Sequence, residues 1–185
     1  GVGYHAAPFL RISPATRQVA MGDAFTAMTK DANVMRYNIA GLGGIRYPSL
    51  ATNFHTWIDD TQQGGLVYVH PFGKFGNVGL DLTYFNQGVI ENVDMNFNPT
   101  GEESASNDLL LTAGYGKNIN MGAFAFGLGA GVKYIRQNLV GELVSTAAVD
   151  VGVQLHHDYF SIGAAVQNYG FSDVQFNQLE SPLPQ

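Results

Sequence analysis

From Arg46 onward, hydrophobic and polar positions alternate with a period of two, the repeat of a strand whose two faces meet different surroundings. The clearest run is Phe124 to Tyr134: Phe124, Phe126, Leu128, Ala130, Val132 and Tyr134 share one face, and Ala125, Gly127, Gly129, Gly131 and Lys133 the other. Asn77 to Phe85 sets Val78, Leu80, Leu82 and Tyr84 against Asn77, Gly79, Asp81 and Thr83. Asp108 to Gly116, Ala147 to Leu155 and Phe160 to Gln167 repeat the arrangement, and two less regular strands precede them at Pro48 to Trp57 and Gln63 to Phe72. The links Gly73 to Gly76, Asn118 to Gly122 and His156 to Asp158 read as short turns, and Val93 to Asn107 as a longer polar connection. Short and long links then alternate, so all the short ones fall at one end.

Ser13 to Gly44 is the one long segment that does not read as strand. Ser13 followed by Pro14 is a helix-start pair. Asp31 offers a second start, for a short helix over Ala32 to Tyr37. Asn38 stands where that helix should stop, and Gly41, Gly43 and Gly44 supply freedom for a tight turn. Charges (Arg17, Asp23, Lys30, Asp31, Arg36) are mixed among small and apolar residues, which suits a compact plug packed inside something polar. Gly1 to Ile12 shows no period. The chain therefore divides into an N-terminal segment and hatch, residues 1–46, and a wall, residues 47–185.

What the wall encloses depends on which face is wet. A soluble β-sandwich or lipocalin-like barrel turns its apolar face to a shared core and carries charges on the other. Here the second face is glycine, alanine, serine, threonine, asparagine and glutamine, residues that suit a lumen with a plug pressed against it. The apolar face has Tyr84, Tyr115, Tyr134 and Phe160 near strand ends, as a lipid-facing band with an aromatic girdle does. Composition points the same way. Charged residues are 13% of the chain, about half the share of an ordinary soluble domain, while glycine (23), phenylalanine (12) and tyrosine (9) are abundant. With 185 residues, one domain is the default. The net charge of −6 disfavours nucleic acid, whose phosphates would be repelled. Zero cysteines exclude disulfides and thiolate chemistry. No apolar run approaches the roughly 18 residues of a membrane helix. No leader-like run opens the sequence, so an exported protein is expected here in its processed form.

The run PATRQVAMGDAFTAMTKDANVMRYNIAGLGG resembles the N-terminal signature of the PorV/PorQ-like outer-membrane proteins, within the FadL-like long-chain fatty-acid transporter superfamily. The family's Ala-Arg element falls on Thr16-Arg17, its Met-Gly element on Met21-Gly22-Asp23-Ala24-Phe25, its acidic pair on Lys30-Asp31-Ala32, and its Asn-Pro-Ala-Gly on Asn38-Ile39-Ala40-Gly41. Thr16 and Ile39 depart from the pattern, the second leaving one more N–H to satisfy. Phe54-His55-Thr56-Trp57, Pro71-Phe72-Gly73-Lys74-Phe75-Gly76 and Ser181-Pro182-Leu183-Pro184 are also similar. The resemblance implies an all-β fold: a transmembrane antiparallel β-barrel, seven strands here of about fourteen, with a partly helical hatch inside. It further implies an outer membrane of a Gram-negative-type bacterium, and transport of hydrophobic molecules or the shuttling and docking of secreted proteins. Membrane lipid, a hydrophobic small molecule or secreted-protein cargo, and envelope proteins are the implied partners. The hatch residues would be Arg17, Gly22, Asp23, Asp31, Arg36, Asn38, Ala40 and Gly41. Alternative readings are a structural anchor or docking subunit of an envelope assembly, and a membrane hydrolase.

No catalytic, cofactor-binding or metal-binding residue is assigned. His156-His157-Asp158 could suggest a metal site, but neighbours on a strand point to opposite faces. Asp94 to Glu103 places oxygen ligands at alternate positions like a calcium loop, with its glycine two places late and no acid at the twelfth position. No G-x-S-x-G flanks any serine. Gly127-Leu128-Gly129-Ala130-Gly131 lies in an alternating run, which favours small residues making room for the plug over a nucleotide loop. Asp59-Asp60 is expected in a turn.

Seven wall strands are an odd number, whereas single-chain bacterial barrels close with even numbers. An eight-stranded barrel would be filled by its own side chains and could not also hold a plug. These residues are therefore expected to form half a barrel, either part of a longer chain or one that another chain completes. Its unpaired edges would be Pro48 to Trp57 and Phe160 to Gln167.

Overall fold

The alternating runs form seven strands of one antiparallel sheet, arranged in sequence order: β1 (Ser49–Thr56), β2 (Gln62–Pro71), β3 (Asn77–Val93), β4 (Pro99–Met121), β5 (Phe124–Leu139), β6 (Glu142–His157) and β7 (Phe160–Gly170). The computed structural model describes residues 31–56, 61–93, 99–139, 142–170, 174–176 and 179–181. A separate hairpin pairs β8 (Val174–Phe176) with β9 (Leu179–Ser181). Among the described residues β1 and β7 are the outer strands and do not pair with each other, as expected for the two edges. No described helix is long and apolar enough to cross a membrane.

Several strands run further than the alternation suggests. β3 and β4 stay paired out to Val93 and Pro99, so most of the stretch read as a polar connection is ladder. The register shifts between Asn86 and Val89. Gly88 takes the left-handed φ of 76° there, and its N–H donates to Asn86 Oδ1 at 3.0 Å. Beyond that bulge apolar and polar residues no longer alternate (Val89-Ile90-Glu91-Asn92-Val93), and the period-two signal vanishes although the backbone pairing does not. Pro99 to Glu103 therefore belong to β4, which removes half of the calcium-loop reading; residues 94–98 lie outside the described residues, as do Asp59 and Asp60. The β4–β5 turn is tighter than expected, Gly122-Ala123 in place of Asn118 to Gly122, with Gly122 at φ 64°. His156 and His157 end β6, and the turn is Asp158-Tyr159.

The two faces differ as the sequence requires. One face is covered and polar: Asn77, Asp81, Thr83, Asp108, Thr112, Lys133, Asp150 and Gln154 are all buried. The other is open and apolar: Leu66, Tyr68, Leu80, Leu82, Tyr84, Leu111, Tyr115, Phe126, Leu128, Val132, Tyr134, Val151, Val153, Ile162 and Val166 are exposed. This sheet is inside out relative to a water-soluble domain, in which exposed apolar patches stay within a few hundred Å². β2 had looked irregular because Val67 and Val69 on its covered face are as apolar as Leu66 and Tyr68 on its open face.

The covered face is packed by two short 3-10 helices, Ala32–Arg36 and Ile39–Gly44. The first matches the helix expected after Asp31, whose Oδ1 accepts from Asn33 N at 2.9 Å. The second replaces the expected tight turn. Asn38 is extended (φ −153°), and its Oδ1 accepts from Ala40 N at 3.1 Å, which restarts the helix. Gly41, Gly43 and Gly44 thus serve inside a helix, and none has positive φ. Gly43 allows close approach instead: a Cβ there would stand 2.6 Å from the Lys117 backbone.

Candidate functional site

The site that the fold builds is the contact between this hatch and the wall. Its floor is backbone. Gly79, Gly114, Gly116, Gly129, Gly131 and Gly152 bring β3 to β6 close under Met35, Asn38, Ile39, Ala40 and Leu42. A Cβ on Gly129 would enter the Ile39–Ala40 backbone, one on Gly131 would strike Ile39 Cδ1, and one on Gly152 would strike Asn38 Oδ1. The glycine-rich run of β5 therefore makes room for the plug, as its alternation implied. Around this floor a small apolar cluster joins Ala32, Met35, Ile39, Leu42 and Ile45 to Val67 and Val69 of β2. The hatch is thus held by hydrophobic packing as well as by the polar contacts that its composition suggests.

Two wall amides receive backbone carbonyls of the hatch. Asn77 Nδ2 donates to Leu42 O at 2.6 Å and to Ile45 O at 2.7 Å, closing the end of the second helix. Gln167 Nε2 donates to Arg36 O at 2.8 Å. In the reverse sense, Asn38 Nδ2 donates to Val153 O at 3.1 Å and Ala164 O at 3.3 Å, bridging β6 and β7. Asn38 is fully buried and so serves both as a cap and as a tether.

One ion pair locks the hatch. Arg36 donates from Nε to Asp81 Oδ2 and from Nη2 to Asp81 Oδ1, both at 2.7 Å, a bidentate fork. Its remaining donors reach Thr83 Oγ1 at 3.2 Å, Asn53 Oδ1 at 3.0 Å and Asn33 Oδ1 at 3.3 Å. The side chains of Arg36 and Asp81 are only 9% and 3% exposed. Gly65 leaves the space for this guanidinium, since a Cβ there would sit 2.5 Å from Arg36 Nη2. A second buried pair, Lys133 Nζ to Asp150 Oδ2 at 2.8 Å, lies within the wall. Lys133 also donates to Asn168 Oδ1 at 2.8 Å, and Asn168 N donates to Asp150 Oδ1 at 2.9 Å, which fixes the left-handed Asn168 (φ 58°) at the β6–β7 bulge.

Of the hatch residues read from the sequence, Asp31, Arg36, Asn38, Ala40 and Gly41 come together here, whereas Arg17, Gly22 and Asp23 lie outside the described residues. Asp81, Asn77, Gln167 and Gly152 were not singled out. For Asp81 a signal existed, as the one acid among the covered positions of Asn77 to Phe85. Among the described residues no group of three or more histidines and acids could hold a metal. His156 instead contacts Ser161 Oγ and Gln154 Oε1, and His157 stacks on Phe160. On the open face a shallow groove of about 380 Å³ runs between Leu128, Val151, Val153, Ala164 and Val166.

Two substitutions probe the contact. Asn38→Ala should lower stability by about 1 kcal/mol for the cap alone and by more once both tether bonds are lost, read from a urea titration of the folded protein. Gly129→Ala should cost roughly 1–3 kcal/mol through overpacking. It should also speed protease cleavage within residues 31–45 while the strands stay protected; unchanged cleavage would show that the hatch does not rest on this floor.

No protein-family model and no curated protein matches the chain.

Proposed function

We propose that the chain is the hatch and part of the wall of an outer-membrane β-barrel, non-enzymatic, that passes hydrophobic molecules or docks secreted proteins. One observation carries this reading: a seven-stranded sheet with its large apolar side chains on the open face and its glycines and polar groups under a packed plug. Water would oppose that sidedness, and lipid would favour it. The dimensions agree. Phe124 to Tyr134 spans ten residue steps, about 34 Å along a strand and about 26 Å at a tilt of about 40°, close to the roughly 25 Å apolar band of outer-membrane barrels. Closure into a barrel belongs to the same proposal, because unpaired strand edges are not tolerated against hydrocarbon.

The hatch reading gives the passage its control. The plug sits on backbone, is stapled by three amides and is held by one bidentate ion pair, so displacement along the sheet would break a small, defined set of bonds. Cargo identity follows from one measurement, native mass spectrometry of the protein extracted from membranes. A bound lipid-sized apolar molecule supports transport, and a stoichiometric protein supports docking. Failure of the purified protein to insert into lipid vesicles at all, with the strands remaining open to protease, would overturn the membrane reading itself.

A further inference from the structure

We propose that the end of the wall bearing the β2–β3 turn carries a binding site for the phosphate headgroup of an anionic phospholipid, formed by Arg46, Lys74 and Lys117 over an aromatic ledge; the inference rests on the membrane reading above. The described residues contain six lysines and arginines. Arg36 and Lys133 are buried in ion pairs. Arg136 is exposed on β5 near the other end of the sheet. The remaining three are exposed, form no ion pair among the described residues, and stand at one corner.

Hydrogen bonds bring the three segments of that corner together. Asn77, the first residue of β3, holds Ile45 O, which sets Arg46 and Tyr47 beside the turn that precedes β3. The turn is closed by Phe72 N donating to Gly76 O at 2.9 Å. It is pinned to β4 by Tyr115, whose hydroxyl donates to Phe75 O at 2.5 Å, two residues from Lys117 on the same open face. Lys74 Nζ lies 5.3 Å from the Phe75 ring centre. Tyr47, Phe72 and Phe75 are 78%, 54% and 70% exposed, an arrangement suited to the boundary between hydrocarbon and headgroups.

Charge selects the ligand. No acid occurs at positions 45–48, 72–76 or 115–121, in a chain whose net charge is −6. At this end of the sheet Asp158 stands in the β6–β7 turn, four strands on from β2–β3, while the far end carries more acids: Glu91 and Glu103 are register partners across β3 and β4, and Glu142 opens β6. Cations beside exposed aromatics at the edge of an apolar band match a phosphate that is tethered to acyl chains: ammonium and guanidinium donors reach its oxygens while the chains lie along Tyr115 and Leu80 toward the middle of the band. A zwitterionic headgroup offers the same phosphate with a cation beside it, and would be held less well.

The test uses the protein folded into phosphatidylcholine vesicles that contain trace spin-labelled lipid. Electron paramagnetic resonance should show a motionally restricted lipid population. Labelled phosphatidylglycerol should enter it roughly five-fold more readily than labelled phosphatidylcholine at low salt, the scale of about one basic side chain at an anionic surface, with the preference falling as salt rises. The variant carrying Arg46→Gln, Lys74→Gln and Lys117→Gln should lose the preference, whereas Arg136→Gln should keep it. Should the triple variant fold poorly, Lys74→Gln and Lys117→Gln singly, each changing one exposed side chain, should each lose part of it. A restricted population without headgroup preference, or a preference that survives these variants, overturns this inference and leaves the membrane reading standing. Absence of any restricted lipid overturns both.

Discussion

Arg36→Met should destabilise the hatch by about 3–5 kcal/mol, the cost of leaving one member of a buried ion pair without its partner. The methionine fills much of the same space but leaves both Asp81 oxygens without the guanidinium, on a wall position that is 2% exposed. Thr83, which contacts Asp81 Oδ1 at 3.2 Å, offers only one weak substitute. Urea titration of the lipid-folded protein, with protease cleavage at residues 31–45 as the local readout, measures the effect. Asp81→Asn in the Arg36→Met background removes the stranded charge and should recover much of the loss, giving a coupling energy well beyond that of an exposed pair. A loss below about 1 kcal/mol in Arg36→Met, the range of exposed pairs, would show that the pair does not hold the hatch.

Leu128→Arg should cost roughly 2–4 kcal/mol in lipid, the penalty of a cation near the middle of a barrel's outer face. Leu128 is 48% exposed on the open face between register partners Val153 on β6 and Lys117 on β4, so a second cation there also meets like charge. In a water-soluble sheet the same substitution would place an arginine at a solvent-facing position, where changes usually stay within about 0.5 kcal/mol. The sign and size therefore separate the two environments. Gly129→Arg, one residue away, tests the opposite face: its side chain would have to displace the Ile39–Ala40 backbone, so its effect should fall on hatch protection. Equal stability of wild type and Leu128→Arg in vesicles would reverse the assignment of faces.

The sheet was legible wherever its two faces have opposite chemistry. Asn77 to Tyr84 and Phe124 to Tyr134 showed their facing at once, since Asn77, Gly79, Asp81, Thr83 and Lys133 lie covered while Leu80, Leu82, Tyr84, Phe126, Leu128 and Val132 lie open. Legibility failed where the faces converge. Val67 and Val69 form part of the hatch's apolar cluster, so β2 lost its alternation. Past Asn86 the register shifts and the alternation breaks, and the extended β3–β4 ladder passed for a loop. In the hatch, Asp31 and Asn38 declared themselves as caps because their side chains compete locally for backbone N–H groups. The partners of Arg36 and Asn38 were out of reach, because they lie 45 and 115 residues away and depend on register rather than on neighbouring sequence.

Direction alternates from strand to strand across the sheet, so β1 and β7, the first and seventh, point the same way. In the proposed barrel, that parity would restrict what can complete the wall. A second copy turned about the barrel axis would set its β1 beside this β7 with both strands running in one direction, whereas every neighbouring pair within the sheet is antiparallel. Inverting the copy would repair the directions but would send its short turns to the opposite side of the bilayer. An antiparallel closure therefore requires an odd complement of strands, with both of its outer members running against β1 and β7. Two copies sharing one orientation would not make such a ring.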